Sequence, residues 1–307
     1  MNRKILFYAF VLNLVLNCIC YCEAIDSIQI IASKTYFKIG EPIIIKVNAT
    51  FLKPNISSKT NKILESIELN GFSLQIRESD SNDVLVLHGL LPRRLLLEDG
   101  QGLQYSSTFI VFYDYNSKRV IFNKSLTYDV KLKSKNKYSN ALKLNISSSV
   151  SDEKALAILS DPNDFAFLMS GIYKNNVSVS HLDEVVQQCD GTLLSKFCAG
   201  RLGIEQSKEL QQKYPNGKKI KDKYSQDTTV RLVFDRATLN LEKGLDMPEE
   251  IPIRQEVLYY LVSAEIVKGN SEKSMLYAKE VMLKYPHSKY SKEVSNLKQQ
   301  LSKHNLD

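Results

Sequence analysis

Tryptophan is missing from the 307 residues, cysteine occurs five times and histidine four times. His88, His181, His287 and His304 are scattered, and none has a second histidine, a cysteine or a paired carboxylate at metal-ligand spacing. There is no glycine-rich phosphate loop, no Gly-x-Ser-x-Gly and no Cys-x-x-Cys. These absences remove the local signatures of catalysis, metal binding and cofactor binding. The chain therefore reads as non-enzymatic, with no catalytic, cofactor or metal residue expected; an enzyme site assembled from distant positions is the one case this argument does not reach. Asp80-Ser81-Asn82-Asp83 and Asp161-Pro162-Asn163-Asp164 gather acidic oxygens. Neither continues to the glycine and distal glutamate of a calcium loop, and both read as turns. No run approaches the ~18 apolar residues of a spanning helix. The run from Ile5 to Leu16 is broken by Asn13.

Asn2-Arg3-Lys4 ahead of that run gives the charged-then-apolar form of an export signal. Cys22-Glu23-Ala24 offers a small-x-small cleavage site, so residues 1–24 are expected to be a signal peptide and Ile25 the first mature residue. The rival is lipidation at Cys18 behind Val15-Leu16-Asn17, and membrane association is expected only in that case. Cleavage leaves 39 basic against 33 acidic residues, a mild +6, and two cysteines, Cys189 and Cys198. Export places the chain in the periplasm, the cell envelope or the extracellular space, where disulfides form. Asp190-Gly191-Thr192 lies between the end of one predicted helix and the cap of the next, so the cysteines flank an antiparallel turn. A Cys189–Cys198 disulfide is expected, with two buried thiols as the alternative.

From Ile25 to Ser147 the apolar residues alternate. Ile43, Ile45, Val47, Ala49 and Phe51 take one side of a strand; Leu126, Tyr128, Val130 and Leu132 take one side of another, and Leu142, Leu144 and Ile146 of a third. With runs at 27–32, 73–77, 84–88 and 108–113, about seven strands are predicted, the number and turn spacing of a sandwich. From Ser148 the period changes to helical. Ser151 or Asp152 is expected to cap a helix that Pro162 interrupts, and another is predicted to begin at His181. Thr192 caps the next, through Phe197, Leu202 and Leu210. Residues 216–227, holding Lys218, Lys219, Lys221 and Lys223 with almost no apolar residue, read as a loop. Val230, Val233, Phe234, Ala237 and Leu241 restart the stripe. Gly269 ends the helix over 255–268, Asn270 or Ser271 caps one with Met275, Ala278 and Met282 buried, and Ser288 caps the last.

Lys284-Tyr285-Pro286-His287-Ser288-Lys289-Tyr290, with Val281, Ala278 and Ser274 before it and Gly269 at the turn, resembles the end of a divergent tetratricopeptide repeat. Lys213-Tyr214-Pro215-Asn216-Gly217 repeats the punctuation 71 residues earlier, close to two repeats of ~34 residues. Phe37-Lys38-Ile39-Gly40-Glu41-Pro42-Ile43 and Ser139-Asn140-Ala141-Leu142 resemble the first and last strands of immunoglobulin-like domains of secreted bacterial proteins, without their cysteine and tryptophan hallmarks. Richness in lysine, asparagine and isoleucine joins the repeat style in pointing to a bacterial source. The resemblances imply a multidomain, all-β plus all-α chain: an immunoglobulin-like β-sandwich over 25–147, then an α-solenoid of tetratricopeptide-like hairpins over 148–307. What the repeats imply is a protein or peptide partner held along the helices, in an exported scaffold of the cell envelope. The alternative is a surface adhesin or glycan binder using the sandwich loops. The lysines at 218–223 and at 131, 133, 135 and 137 read as solvated faces, with attraction to anionic lipid, teichoic or nucleic-acid phosphates as the alternative, and no nucleic-acid partner is expected.

Overall fold

The computed structural model describes residues 25–51, 65–68, 72–79, 81, 83–88, 94–97, 104–111, 113–114, 119–134, 137–172, 174–214, 217–249 and 251–304. The expected signal segment and Cys18 lie outside them. A sheet-built part is followed by a helical part. Two compact units divide the chain, the first comprising Met1–Phe37, Pro42–Val111 and Ser125–Ser147, the second Lys38–Glu41, Phe112–Lys124 and Ser148–Asp307.

In the first unit, β1 (Ile25–Ala32), β3 (Ile43–Phe51) and β8 (Gln104–Val111) form an antiparallel sheet in the order β1-β3-β8, with Ile30 opposite Val47 and Ile45 opposite Phe109. The larger sheet runs β2 (Tyr36–Lys38), β13 (Leu142–Ser147), β11 (Thr127–Ser134), β5 (Phe72–Glu78), β6 (Val84–His88), and β12 (Lys137–Tyr138) pairs with β11. Period-two patterning decides the faces: Tyr128, Val130 and Leu132 are buried while Asp129 and Lys131 between them are not. The Asn140 amide takes the N–H of Ile30 at 2.8 Å and donates to its carbonyl at 3.0 Å, standing in for a strand neighbour. All seven predicted strands occur, β8 shifted toward its N-terminus. The further strands, such as β4 (Glu65–Glu68) paired with β7 (Arg94–Leu97), are too short to show a period.

The second unit takes in two pieces of the stretch that the sequence assigns to strands. One is the turn at Gly40, where φ is +70° and an added Cβ would come within 2.8 Å of Leu194 and 3.2 Å of Leu156. The other holds the ribbon of β9 (Tyr113–Asp114) and β10 (Arg119–Val120), and the Phe122 carbonyl beyond it accepts from the Gly40 N–H.

Nine helices follow among the described residues: α1 (Val150–Ile158), α2 (Pro162–Ser170), α3 (Asn176–Gln188), α4 (Leu193–Lys213), α5 (Gly217–Gln226), α6 (Thr228–Gly244), α7 (Pro252–Lys268), α8 (Ser271–Lys284) and α9 (Lys289–His304). Several ends differ from the sequence reading. Ser149 caps α1, accepting from the Asp152 N–H, and Pro162 opens α2 at a position where its missing N–H costs nothing. Asp161 and Asp164 are therefore a capping box and not merely a turn. Asn175 caps α3, which starts at Asn176, five residues ahead of His181. The lysine stretch is a helix, α5, because Ile220 and Tyr224 fall on one side of it and pack with Leu210, Phe234 and Ala264. Thr192, Asn270 and Ser288 cap α4, α8 and α9 as their positions suggested.

Two hairpins share their punctuation. Gly191 between α3 and α4 has φ +83°, and Gly269 between α7 and α8 has φ +79°. Tyr214 closes α4 at φ −128°, its N–H bonded to Leu210, and Tyr285 closes α8 at φ −130°, bonded to Val281; a proline follows each tyrosine.

Candidate functional site

Helices α6 and α8 carry the same arrangement 44 residues apart. Asp227 caps α6 by accepting from the N–H groups of Thr229 and Val230. Val230, Phe234, Ala237 and Leu241 then turn to the core. In α8, capped by Asn270, the equivalent positions are Ser274, Ala278, Val281 and half-buried Tyr285. At 100° per residue, Leu232 and Leu239 come round to the side opposite that stripe on α6, and Leu276 and Leu283 do so on α8. They are 65%, 53%, 61% and 69% exposed. Val233 and Met275, expected in the buried stripes, also face solvent, because each is displaced from the stripe's centre by roughly a quarter turn.

Charged clamps fix the helices that display these leucines. Arg254 of α7 donates to the Leu245 carbonyl at 3.1 Å and to the Tyr285 hydroxyl at 3.3 Å, and pairs with Glu280 of α8 at 2.8 Å. Burial alone would lower its pKa; the bonds to Tyr285 and Glu280 outweigh that and raise it. Tyr285 in turn donates to the Glu249 carbonyl at 2.7 Å. Lys273 of α8 reaches Glu242 of α6 at 2.5 Å and stands 4.0 Å from buried Glu265 of α7. Buried Glu265 interrupts the apolar stripe of α7, and this clamp is its place. Arg201 of α4 is buried; it donates to the carbonyls of Leu168 and Met169, at the end of α2, at 3.0 and 3.3 Å. It also lies 3.8 Å from Glu205 and 3.7 Å from Glu256, which Lys208 meets at 3.0 and 3.1 Å.

His181, predicted from the sequence to begin a helix, lies against Asp164. Its Nδ1 lies 2.8 Å from Oδ2 of that fully buried carboxylate, which also takes the Asp161 N–H at 3.2 Å. Cys189 closes α3 and Cys198 lies on the core side of α4; both are buried, and both are free thiols in the structure. Burial pushes the Cys198 thiol well above its ordinary pKa, with the Asp164 carboxylate adding to the shift, and burial raises Cys189 as well. Suppressed thiolates make poor nucleophiles. The native protein is expected to resist a thiol reagent and the unreduced, denatured protein to take up two alkyl groups. Intact mass reads both, and no uptake after denaturation would instead place a Cys189–Cys198 bond in the protein.

Among the described residues no three His, Cys, Asp or Glu side chains gather as metal ligands, and no helix is long and apolar enough to cross a membrane. The arrangement presents alkyl surface on clamped helices, and its chemistry is burial. Covering the exposed part of four leucines that are already partly buried contributes about 4 to 7 kcal/mol, while association costs about 4 to 15 kcal/mol. A partner must therefore cover more than these four side chains. Sequence reasoning names the buried stripes and passes over these four; the seven-residue spacing on both helices, opposite each stripe, is the available signal.

No protein-family model and no curated protein matches the chain. Among solved structures, the sporulation control protein Spo0M from Bacillus subtilis is similar at 14% identity over 45% of this chain and 55% of that one, with a TM-score of 0.22. The chain thus spans about half the length of that protein, and a likeness at this level carries no argument.

Proposed function

We propose that this is an exported, non-catalytic scaffold of a bacterial cell envelope that binds another protein along tetratricopeptide-like hairpins, the sheet unit being an immunoglobulin-like sandwich. The observation that carries the reading is the paired display of Leu232 and Leu239 on α6 and of Leu276 and Leu283 on α8. Lone exposed leucines are ordinary, but two rows with one spacing on two clamped helices leave alkyl side chains that gain from being covered. The shared glycine turns and tyrosine closures of the two hairpins support a repeat origin. A repeat array offers its partner a run of helix faces rather than a pocket.

Truncation at Ser148 is a poor test, because residues 38–41 and 112–124 belong to the same compact unit as the helices. The full chain carrying aspartate at positions 232, 239, 276 and 283 serves better. Captured from envelope extract, the partner is expected to be held about tenfold or more weakly by this variant, with the unfolding midpoint little changed for exposed positions. Equal capture by the variant and the natural chain would overturn the reading.

A further inference from the structure

The charge of the chain is unevenly divided. Residues 25–147 hold 17 lysines and arginines against 11 acidic residues, whereas 148–307 hold 22 of each. The excess has a place in the fold. With Tyr128, Val130, Leu132 and Leu144 turned inward, alternation sends Lys131 and Lys133 of β11 and Lys143 of β13 to the opposite face of the larger sheet. Register then adds Arg77, paired on β5 with Asp129. Asp129 is the acid among them and is held by Arg77 at 3.2 Å. Lys131 and Lys143 form no ion pair among the described residues, and Lys133 lies over the Tyr138 ring at 5.6 Å. At the margins of this face Tyr36 is 73% and Tyr138 53% exposed, and the edge strand β6 presents Val84 and Val86.

From this geometry we infer a second function, independent of partner binding by the helices: the outward face of the larger sheet docks on an anionic lipid surface. Lysines about 7 Å apart along a strand, on strands about 4.8 Å apart, spread positive charge over an area, as an array of lipid phosphates requires. Tyrosine, with an apolar ring and a polar tip, is suited to the headgroup level, and valines at the rim add alkyl contact. A single-stranded polyanion is better matched by a groove that tracks its backbone, and a sheet face is broad.

The test uses the full chain in vesicle flotation, comparing phosphatidylcholine alone with a mixture containing about one-third phosphatidylglycerol. Neutral vesicles give the baseline, including whatever residues 1–24 contribute. Binding is expected to rise on the anionic vesicles and to fall back toward baseline at about 0.5 M salt. Together Lys131→Glu, Lys133→Glu and Lys143→Glu should reduce the gain by more than about a hundredfold, since losing each lysine near such a surface is worth about fivefold and each glutamate adds repulsion. Lys221→Glu with Lys223→Glu on α5 should leave it intact. A Lys→Gln set at the same three positions, which keeps the stems, should lose the gain by a smaller factor and guards against a folding defect. No gain on anionic vesicles, a gain untouched by the three sheet substitutions, or binding to soluble polyphosphate without binding to vesicles would each overturn the inference.

Discussion

Gly203→Ala is expected to destabilise the helical unit by about 3 kcal/mol, at the upper end for added volume in a packed core. An added Cβ would lie 2.7 Å from Leu241 Cγ, 2.8 Å from the Leu241 nitrogen and 2.9 Å from the Ala237 oxygen. Two of those atoms are backbone and have no rotamer to change. In an open helix the same substitution gains about 1 kcal/mol from propensity, so the sign of the change reports the contact. Nearby Gly244 meets Gly200, a Cβ on Gly244 falling 2.6 Å from the Gly200 Cα. α4 and α6 therefore touch backbone to backbone, and Gly244→Ala should behave similarly. Gly200→Ala should cost less, because its nearest obstacle is the flexible end of Met247 at 2.9 Å. Urea unfolding of the three variants checks the order. Equal, small effects would mean that α4 and α6 can move apart freely.

Arg201→Met is the second large effect, a loss of about 3 kcal/mol. Removing one partner of a buried charged cluster costs about 3 to 5 kcal/mol because the remaining charges stay desolvated; Lys208 still neutralises Glu205 and Glu256 in part, which favours the lower figure. The carbonyls of Leu168 and Met169 also lose their donor, leaving the end of α2 without its tie to α4. Arg236→Met is the matched comparison. Its pairing with Asp183 at 2.7 Å is solvent-exposed, and loss of such a pair is worth under about 1 kcal/mol. Thermal unfolding of both variants separates the cases, and similar shifts would mean that the Arg201 cluster is no stronger than a surface pair.

The division into a sheet part and a helical part was legible in the sequence because the apolar period changes at Ser148. Caps were legible where a polar side chain directly precedes a strong stripe, as at Thr192, Asn270 and Ser288. The reading failed where long-range packing outweighs local composition. Four lysines made 216–227 look like a loop, yet Ile220 and Tyr224, four residues apart, suffice to seat α5 against Phe234, and Tyr224 meets that ring edge-on at 5.2 Å. No period announces that the Gly40 turn packs on Leu194, since the two are 154 positions apart. Glu265 interrupts the apolar stripe of α7, and its partner Lys273 lies on another helix. The candidate surface was overlooked for the converse reason. Leu232, Leu239, Leu276 and Leu283 are apolar enough to be core, and only the competing stripes of Val230–Leu241 and Ser274–Tyr285 turn them outward.

Photo-cross-linking from single positions tests most directly the claim that partners are held on the outward sides of α6 and α8. A photoreactive side chain at 239 or 276, in the full chain within intact cells, should give an adduct of one defined mass. The same group at Tyr36 or Lys143 on the sheet face, or at Lys221 on α5, should not give that adduct. A protein adduct formed only from the sheet positions, with none from 239 or 276, would contradict the account.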